Sequence, residues 1–225
     1  MRLPLAPILL IAAACLAGGC SRATDSRPTA GATSDSLKNG VPRALVPQLM
    51  GWIELWQLAN PSFAPDSLTK VSVGPFELTA PQPGASHAIP NARTRAGIEV
   101  LSPDTSKSVD FDVYLAIEAG VGREPDSSPA LADFKRDTLW RVAFCGTACF
   151  YDGAYWVDEN RFALTGASQS GEQADGPWGA FLEVYDLQSH RRTRWVSRTV
   201  DADRFEHYRA ASDSALTARI ERGGR

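Results

Sequence analysis

Ala130-Leu-Ala-Asp-Phe-Lys-Arg-Asp-Thr-Leu-Trp-Arg-Val-Ala-Phe144 and Ala180-Phe-Leu-Glu-Val-Tyr-Asp-Leu-Gln-Ser-His-Arg-Arg-Thr-Arg-Trp-Val196 carry the same plan. Each is a β-type run, a polar turn opened by an Asp, and a second β-type run. Asp133-Phe134 in the first matches Asp186-Leu187 in the second, 53 positions later. The Asp has a local cause. Its side chain accepts hydrogen bonds from backbone N–H groups just ahead of it and so favours a turn.

The match extends upstream. The first unit opens with Ile98-Glu-Val-Leu101, turns through Ser102-Pro103-Asp104, and continues as Val109-Asp-Phe-Asp-Val-Tyr-Leu-Ala-Ile117. The second opens with Ala154-Tyr-Trp-Val157, turns through Asp158-Glu-Asn160, and continues as Arg161-Phe-Ala-Leu-Thr165. Asp104 and Asp158 lie 54 positions apart. Long polar loops, Gly120 to Pro129 and Ala167 to Gly176, fill the same place in both units. Residues 97–144 and 154–197 therefore each predict four antiparallel strands. A period near fifty with four strands per unit is the sequence mark of a propeller blade.

Ser102-Pro103-Asp104 resembles the repeat turn of the TolB and WD40-like propeller families, and Ala132-Asp133-Phe134 and Tyr185-Asp186-Leu187 are similar to the strand ends of such blades. The resemblance spans about residues 97–197. A closed propeller needs about four or more blades, and two are present here. The expected architecture is therefore mainly β with flanking helices. Two four-stranded blade-like units pack together and are closed by N-terminal strands, one N-terminal helix and one C-terminal helix.

The flanks fit that expectation. Leu45, Leu49, Trp52, Ile53 and Trp56 share one helical face within Pro42–Leu58, and Asn60-Pro61 stops the helix. Its polar face has no Lys, so packing on the domain is expected rather than lying on a membrane. Leu68–Val73 and Phe76–Thr79 read as strands around Gly74-Pro75, and Thr79–Arg95 as a proline-rich loop. Arg204–Arg222 reads as a closing helix carrying Phe205, Tyr208, Leu216 and Ile220.

The amino terminus follows a different logic. Met1-Arg2 is followed by an apolar run to Leu16 and the small residues Ala17-Gly18-Gly19 before Cys20. The run is shorter than the roughly 20 residues that span a bilayer, and its layout is that of a secretory signal. With Cys20 placed there, the segment resembles the lipobox of bacterial lipoproteins. That implies cleavage after residue 19 and lipid on Cys20. It also implies a cell-envelope location tethered to membrane, and Ser21 implies the outer membrane. Residues 20–40 read as a flexible stalk and residues 41–225 as one domain.

Removing 19 of the 225 residues leaves 206, enough for a buried core. Loss of Arg2 leaves 22 basic against 26 acidic residues, which disfavours a nucleic-acid partner. In an oxidising compartment Cys145 and Cys149 are expected to form a disulfide. No cofactor or metal motif stands out. Asp110 and Asp112 alternate with Val109, Phe111 and Val113, so both acids are expected to face solvent. Gly166-Ala-Ser168-Gln-Ser170-Gly171 lacks the second Gly of a nucleophile elbow around Ser168.

The remaining ligand-contact candidates are Trp178, expected in a loop, and the basic run containing Arg191, Arg192 and Arg194. Trp140, Trp156 and Trp195 lie in strands and are expected to pack. Together these features predict a lipid-anchored, non-enzymatic envelope module whose partner is a protein or a glycan. A hydrolase or a small-ligand sensor is the alternative.

Overall fold

The computed structural model describes residues 35–84, 99–111, 126–170 and 176–223. The signal, Cys20, residues 112–117 of the expected strand Val109–Ile117 (Asp112 among them), residues 120–125 of one long polar loop and 171–175 of the other lie outside these residues. A 3₁₀ turn, Arg43–Leu45, leads into helix α1, Met50–Ala59. The α-helix is thus shorter than the expected span over 42–58. All five face residues are nevertheless buried, because the 3₁₀ turn and the turns after it aim Leu45 and Leu49 at the same core.

Ten strands follow: β1 Thr69–Pro75, β2 Thr79–Pro83, β3 Glu99–Leu101, β4 Lys107–Asp110, β5 Ala130–Asp133, β6 Thr138–Arg141, β7 Cys149–Trp156, β8 Arg161–Gln169, β9 Trp178–Asp186 and β10 Arg191–Val196. Helix α2, Ala202–Gly223, ends the described chain. The strands form two antiparallel sheets, ordered β1-β10-β9-β8-β7 and β2-β6-β5-β4-β3. Each sheet has five strands, one more than the repeat predicts. The fifth is supplied by the N-terminal segment: β1 pairs with β10, and β2 pairs with β6.

The strand β2 lies where the proline-rich loop was expected. A proline cannot donate to a ladder and is confined to edges and bulges. Strand β2 is such an edge, with a register shift between Thr79 and Gln82 that steps over Pro81. Phe76, expected in a strand, instead sits in the connection from β1 to β2, where it is buried against Tyr185.

The larger sheet is the middle layer, and β9 at its centre shows how alternation divides the cores. Ala180, Leu182 and Val184 face the helices with Trp56, Phe205 and Tyr208. Phe181 and Tyr185 face the smaller sheet with Val109, Phe111 and Leu131. Residues expected in the stalk also join the helical side. Asn39 donates to the carbonyls of Pro65 and Leu68 and accepts from the Trp195 indole at its own carbonyl.

Candidate functional site

Position 183 lies in the middle of an otherwise apolar central strand, on the face that carries Phe181 and Tyr185. Its side chain is a carboxylate with no exposure to solvent. A charge in that place needs partners, since an unpaired buried carboxylate costs several kcal/mol, roughly, even after relaxation. Glu183 has four. The Tyr185 hydroxyl, two residues along the same face, donates to Oε2 at 2.6 Å. The Tyr151 hydroxyl donates to the same oxygen at 3.3 Å. From β10, Arg194 donates to Oε1 at 3.0 Å, and an Arg192 Nη atom lies 3.5 Å from that oxygen.

The sheet register brings the arginines there: Glu183 pairs with Arg194 and Tyr185 with Arg192. Arg194 also donates to the Ser168 hydroxyl at 3.2 Å and lies over the Phe181 ring. Burial raises the Tyr185 and Tyr151 pKa values, and the charge on Glu183 raises them further. Burial works against the Arg192 charge, but the Glu183 carboxylate together with Tyr185 and Tyr151 offsets it and holds the guanidinium pKa above its ordinary value.

A cavity of about 290 Å³ opens over this cluster. Arg192, Arg194 and Tyr151 form one side, and Phe144, Cys145 and Cys149 form another. Cys145 and Cys149 are joined as a disulfide, with Cα atoms 5.6 Å apart. Cys145 exchanges two backbone hydrogen bonds with Ser127, so the turn is held from outside as well as stapled within. Phe144, just before the staple, is 57% exposed on the cavity rim.

Two of the three candidate arginines and both cysteines thus meet at one cavity. Arg191 starts β10 opposite Pro75 and Asp186, at the turn end of the sheet. Trp178 does not belong with them. It begins β9 rather than sitting in a loop, because it pairs with Gln169 of β8, and its N–H and carbonyl bond Val200 on the other side. Its ring stacks on Phe205 at 4.3 Å, on the helical side of the large sheet. Trp156 and Trp195 are buried, and each indole donates to a backbone carbonyl.

The basic run is not a solvated cluster throughout, since Arg192 and Arg194 face Glu183. Asp110 is also a correction. It is fully buried, as are Val109 and Phe111 on either side, so both faces of β4 are covered here and alternation alone does not place Asp110 in solvent. Among the described residues no group of three or more His, Cys, Asp or Glu side chains is placed to hold a metal ion. No described helix is long and apolar enough to cross a membrane.

Glu183, Tyr151 and Tyr185 were not singled out from sequence, although a signal was present. An acid flanked at i−2 and i+2 by Phe181 and Tyr185 must share their face. Counting back across the Asp186–Arg191 turn places Arg194 beside it. Gly166, the residue that opens the failed serine motif, has a packing reason to be Gly: a Cβ there would lie 2.2 Å from the Phe150 carbonyl and 2.5 Å from the Phe181 ring. Comparison of the chain with protein-family models, known proteins and solved structures returns no match.

Proposed function

We propose that the chain is an exported lipoprotein, tethered through lipid on Cys20, that binds a protein partner in the cell envelope rather than catalysing a reaction. The rim of the inter-sheet cavity is the recognition surface. The observation that carries this reading is Phe144, an exposed aromatic fixed on a disulfide-stapled turn beside Arg192. Aromatic and Arg side chains are the types that dominate binding energy at protein interfaces. A rigid anchor also loses little entropy when it docks.

The hydrolase alternative is weakened by the state of Glu183. A general base needs a free lone pair within reach of a substrate proton. Glu183 has no exposed surface and accepts from two hydroxyls and a guanidinium, with a second guanidinium beside it.

Site-specific photocrosslinking tests the reading. A photoreactive side chain at position 144 of the full exported chain is expected to give one major adduct. The same group at Leu101, which is 55% exposed on the edge of the smaller sheet, serves as control. Equal adducts at both positions, or none at 144, sink the binding surface. The tether is tested separately by Cys20→Ser, which is expected to leave the detergent phase. Retention there at wild-type levels would overturn the anchor.

A further inference from the structure

A second cavity, of about 360 Å³, lies at the turn end of the two sheets and shares no lining residue with the first. Its volume falls in the usual small-ligand range of about 300–1,000 Å³. Trp140, Leu131 and Leu187 give it apolar surface, and the indole is only half-buried. Lys107, Lys135 and Arg136 bring cationic heads to it, and Asn160 and His190 add polar groups.

Fixed turns from both sheets build the walls. Asp133 accepts from the backbone N–H groups of Lys135 and Arg136, which sets the turn that carries both cations. Lys107 crosses between sheets: its ammonium donates to the Glu159 carbonyl at 3.3 Å and the Ser106 hydroxyl at 3.4 Å. Leu187 donates to the Asn160 carbonyl and ties the two turns of the larger sheet together.

The charge balance favours an anion. Three cations face one carboxylate, Asp133, in the lining. That carboxylate is committed to its turn and pairs with Arg136 at 3.6 Å. Asp104, just outside, pairs with Lys135 at 3.5 Å. Lys107 donates to neutral oxygens, and Asp104 is the carboxylate that feels its charge from outside the lining. A ligand carboxylate or phosphate would gain charge-assisted hydrogen bonds there.

The half-buried indole selects the rest of the ligand. The face of an aromatic ring carries partial negative charge, which suits the partly positive C–H face of a pyranose, while the sugar hydroxyls reach the polar rim. We infer that the turn-end cavity binds an acidic saccharide, with its ring over Trp140 and its anionic group at Lys107.

The test is a titration of the full chain, purified in detergent, followed by ligand-observed NMR. The probes are glucuronate, glucose 6-phosphate, glucose and inorganic phosphate. At least one acidic sugar is expected to bind about tenfold or more tightly than glucose and than phosphate, the size expected of one charge-assisted contact. The stronger of the two acidic sugars identifies the anionic group as carboxylate or phosphate. Trp140→Leu is expected to lose binding by about tenfold or more. Lys107→Gln is expected to abolish the preference for acid over neutral sugar.

Glucose binding as well as the acidic sugars overturns the acidic class. Phosphate binding as well as glucose 6-phosphate overturns the saccharide. Absence of saturable binding overturns the site. Lys107 is not a core side chain, so its variant keeps the test decisive even if Trp140→Leu fails to fold.

Discussion

Asp137 and His190 occupy the same place in the two sheets. Both have a positive φ, 48° and 51°. Each closes a turn opened four residues earlier by an Asp that accepts two backbone N–H groups, Asp133 in one case and Asp186 in the other. Each carbonyl then accepts from the residue that follows an added edge strand: Gly84 donates to Asp137 and Phe76 to His190. The sequence repeat is therefore a repeat of backbone geometry, and it includes the N-terminal strand that completes each sheet.

That equivalence makes a stability prediction. Left-handed backbone costs an L-residue about 1–2 kcal/mol, and a β-branched side chain is worst placed to adopt it. His190→Val and Asp137→Val are each expected to destabilise by about 1 kcal/mol, the added cost of a β-branch over parents that already meet the general left-handed penalty. The Gly replacements should stay within about 1 kcal/mol of the parent. Urea denaturation of the four variants checks this. Tolerance of Val at both sites would show that the turns do not hold this geometry in solution.

The Glu183 cluster predicts an order of effects. Hydrogen bonds to charged groups are worth about 1.5–3 kcal/mol each. Tyr185→Phe, which removes the 2.6 Å bond, should lie at the upper end, and Tyr151→Phe, which removes the 3.3 Å bond, at or below the lower end. Glu183→Leu should cost less than the roughly 3–5 kcal/mol of a wholly buried broken pair. The reason is that the Arg192 and Arg194 side chains keep 38% and 28% of their exposure, so water can reach them. A larger loss for Tyr151→Phe than for Tyr185→Phe would contradict the hydrogen-bond pattern.

The same tyrosines set the alkaline limit. Tyr155 is pushed up to about 12 by burial and by the neighbouring Asp152 carboxylate. Tyr151 and Tyr185 are raised by burial and by Glu183. An unfolded tyrosine ionises near about 10. A folded pKa above that value means that the folded state holds the proton more tightly. The stability so gained is complete below about pH 10 and is lost as pH rises through the folded value. Urea midpoints should therefore fall above about pH 10, and phenolate absorbance should rise together with loss of structure. Reversible ionisation of most of the five tyrosines near the unfolded value, with the fold intact, would count against this packing.

Asp104, Asp133, Asp158 and Asp186 were legible in sequence because an Asp turn is a local device. Its donors lie two residues ahead, and for Asp133, Asp158 and Asp186 three residues ahead as well, whatever the rest of the chain does. The strands between those turns were legible for the same reason, as was the helical face of Trp52, Ile53 and Trp56. The two added strands depended on long-range pairing: Thr69 meets Val196 and Thr79 meets Arg141. Burial of Asp110 depended on neighbours as well. Alternation tells which residues share a face, but whether the other face meets water depends on the layer beyond. The arginines at 192 and 194 looked like a surface cluster because the charge that they neutralise is carried by the adjacent strand.

The disulfide offers a test that separates covalent from backbone support at the cavity. Cys145 and Cys149 enclose a loop of sequence separation four. Loop-closure entropy for so short a loop gives about 2 kcal/mol. Oxidised, folded protein is expected to take up no thiol label at either position. Reduction should lower the unfolding free energy by about 2 kcal/mol without unfolding the chain. Cys145 would still be held by its two backbone bonds to Ser127, and it is almost fully buried, whereas Cys149 is only partly so. Brief reduction followed by labelling should therefore modify Cys149 well before Cys145. Equal labelling rates would mean that the Ser127 bridge opens once the staple is cut, and the rim that carries Phe144 would then depend on the disulfide alone.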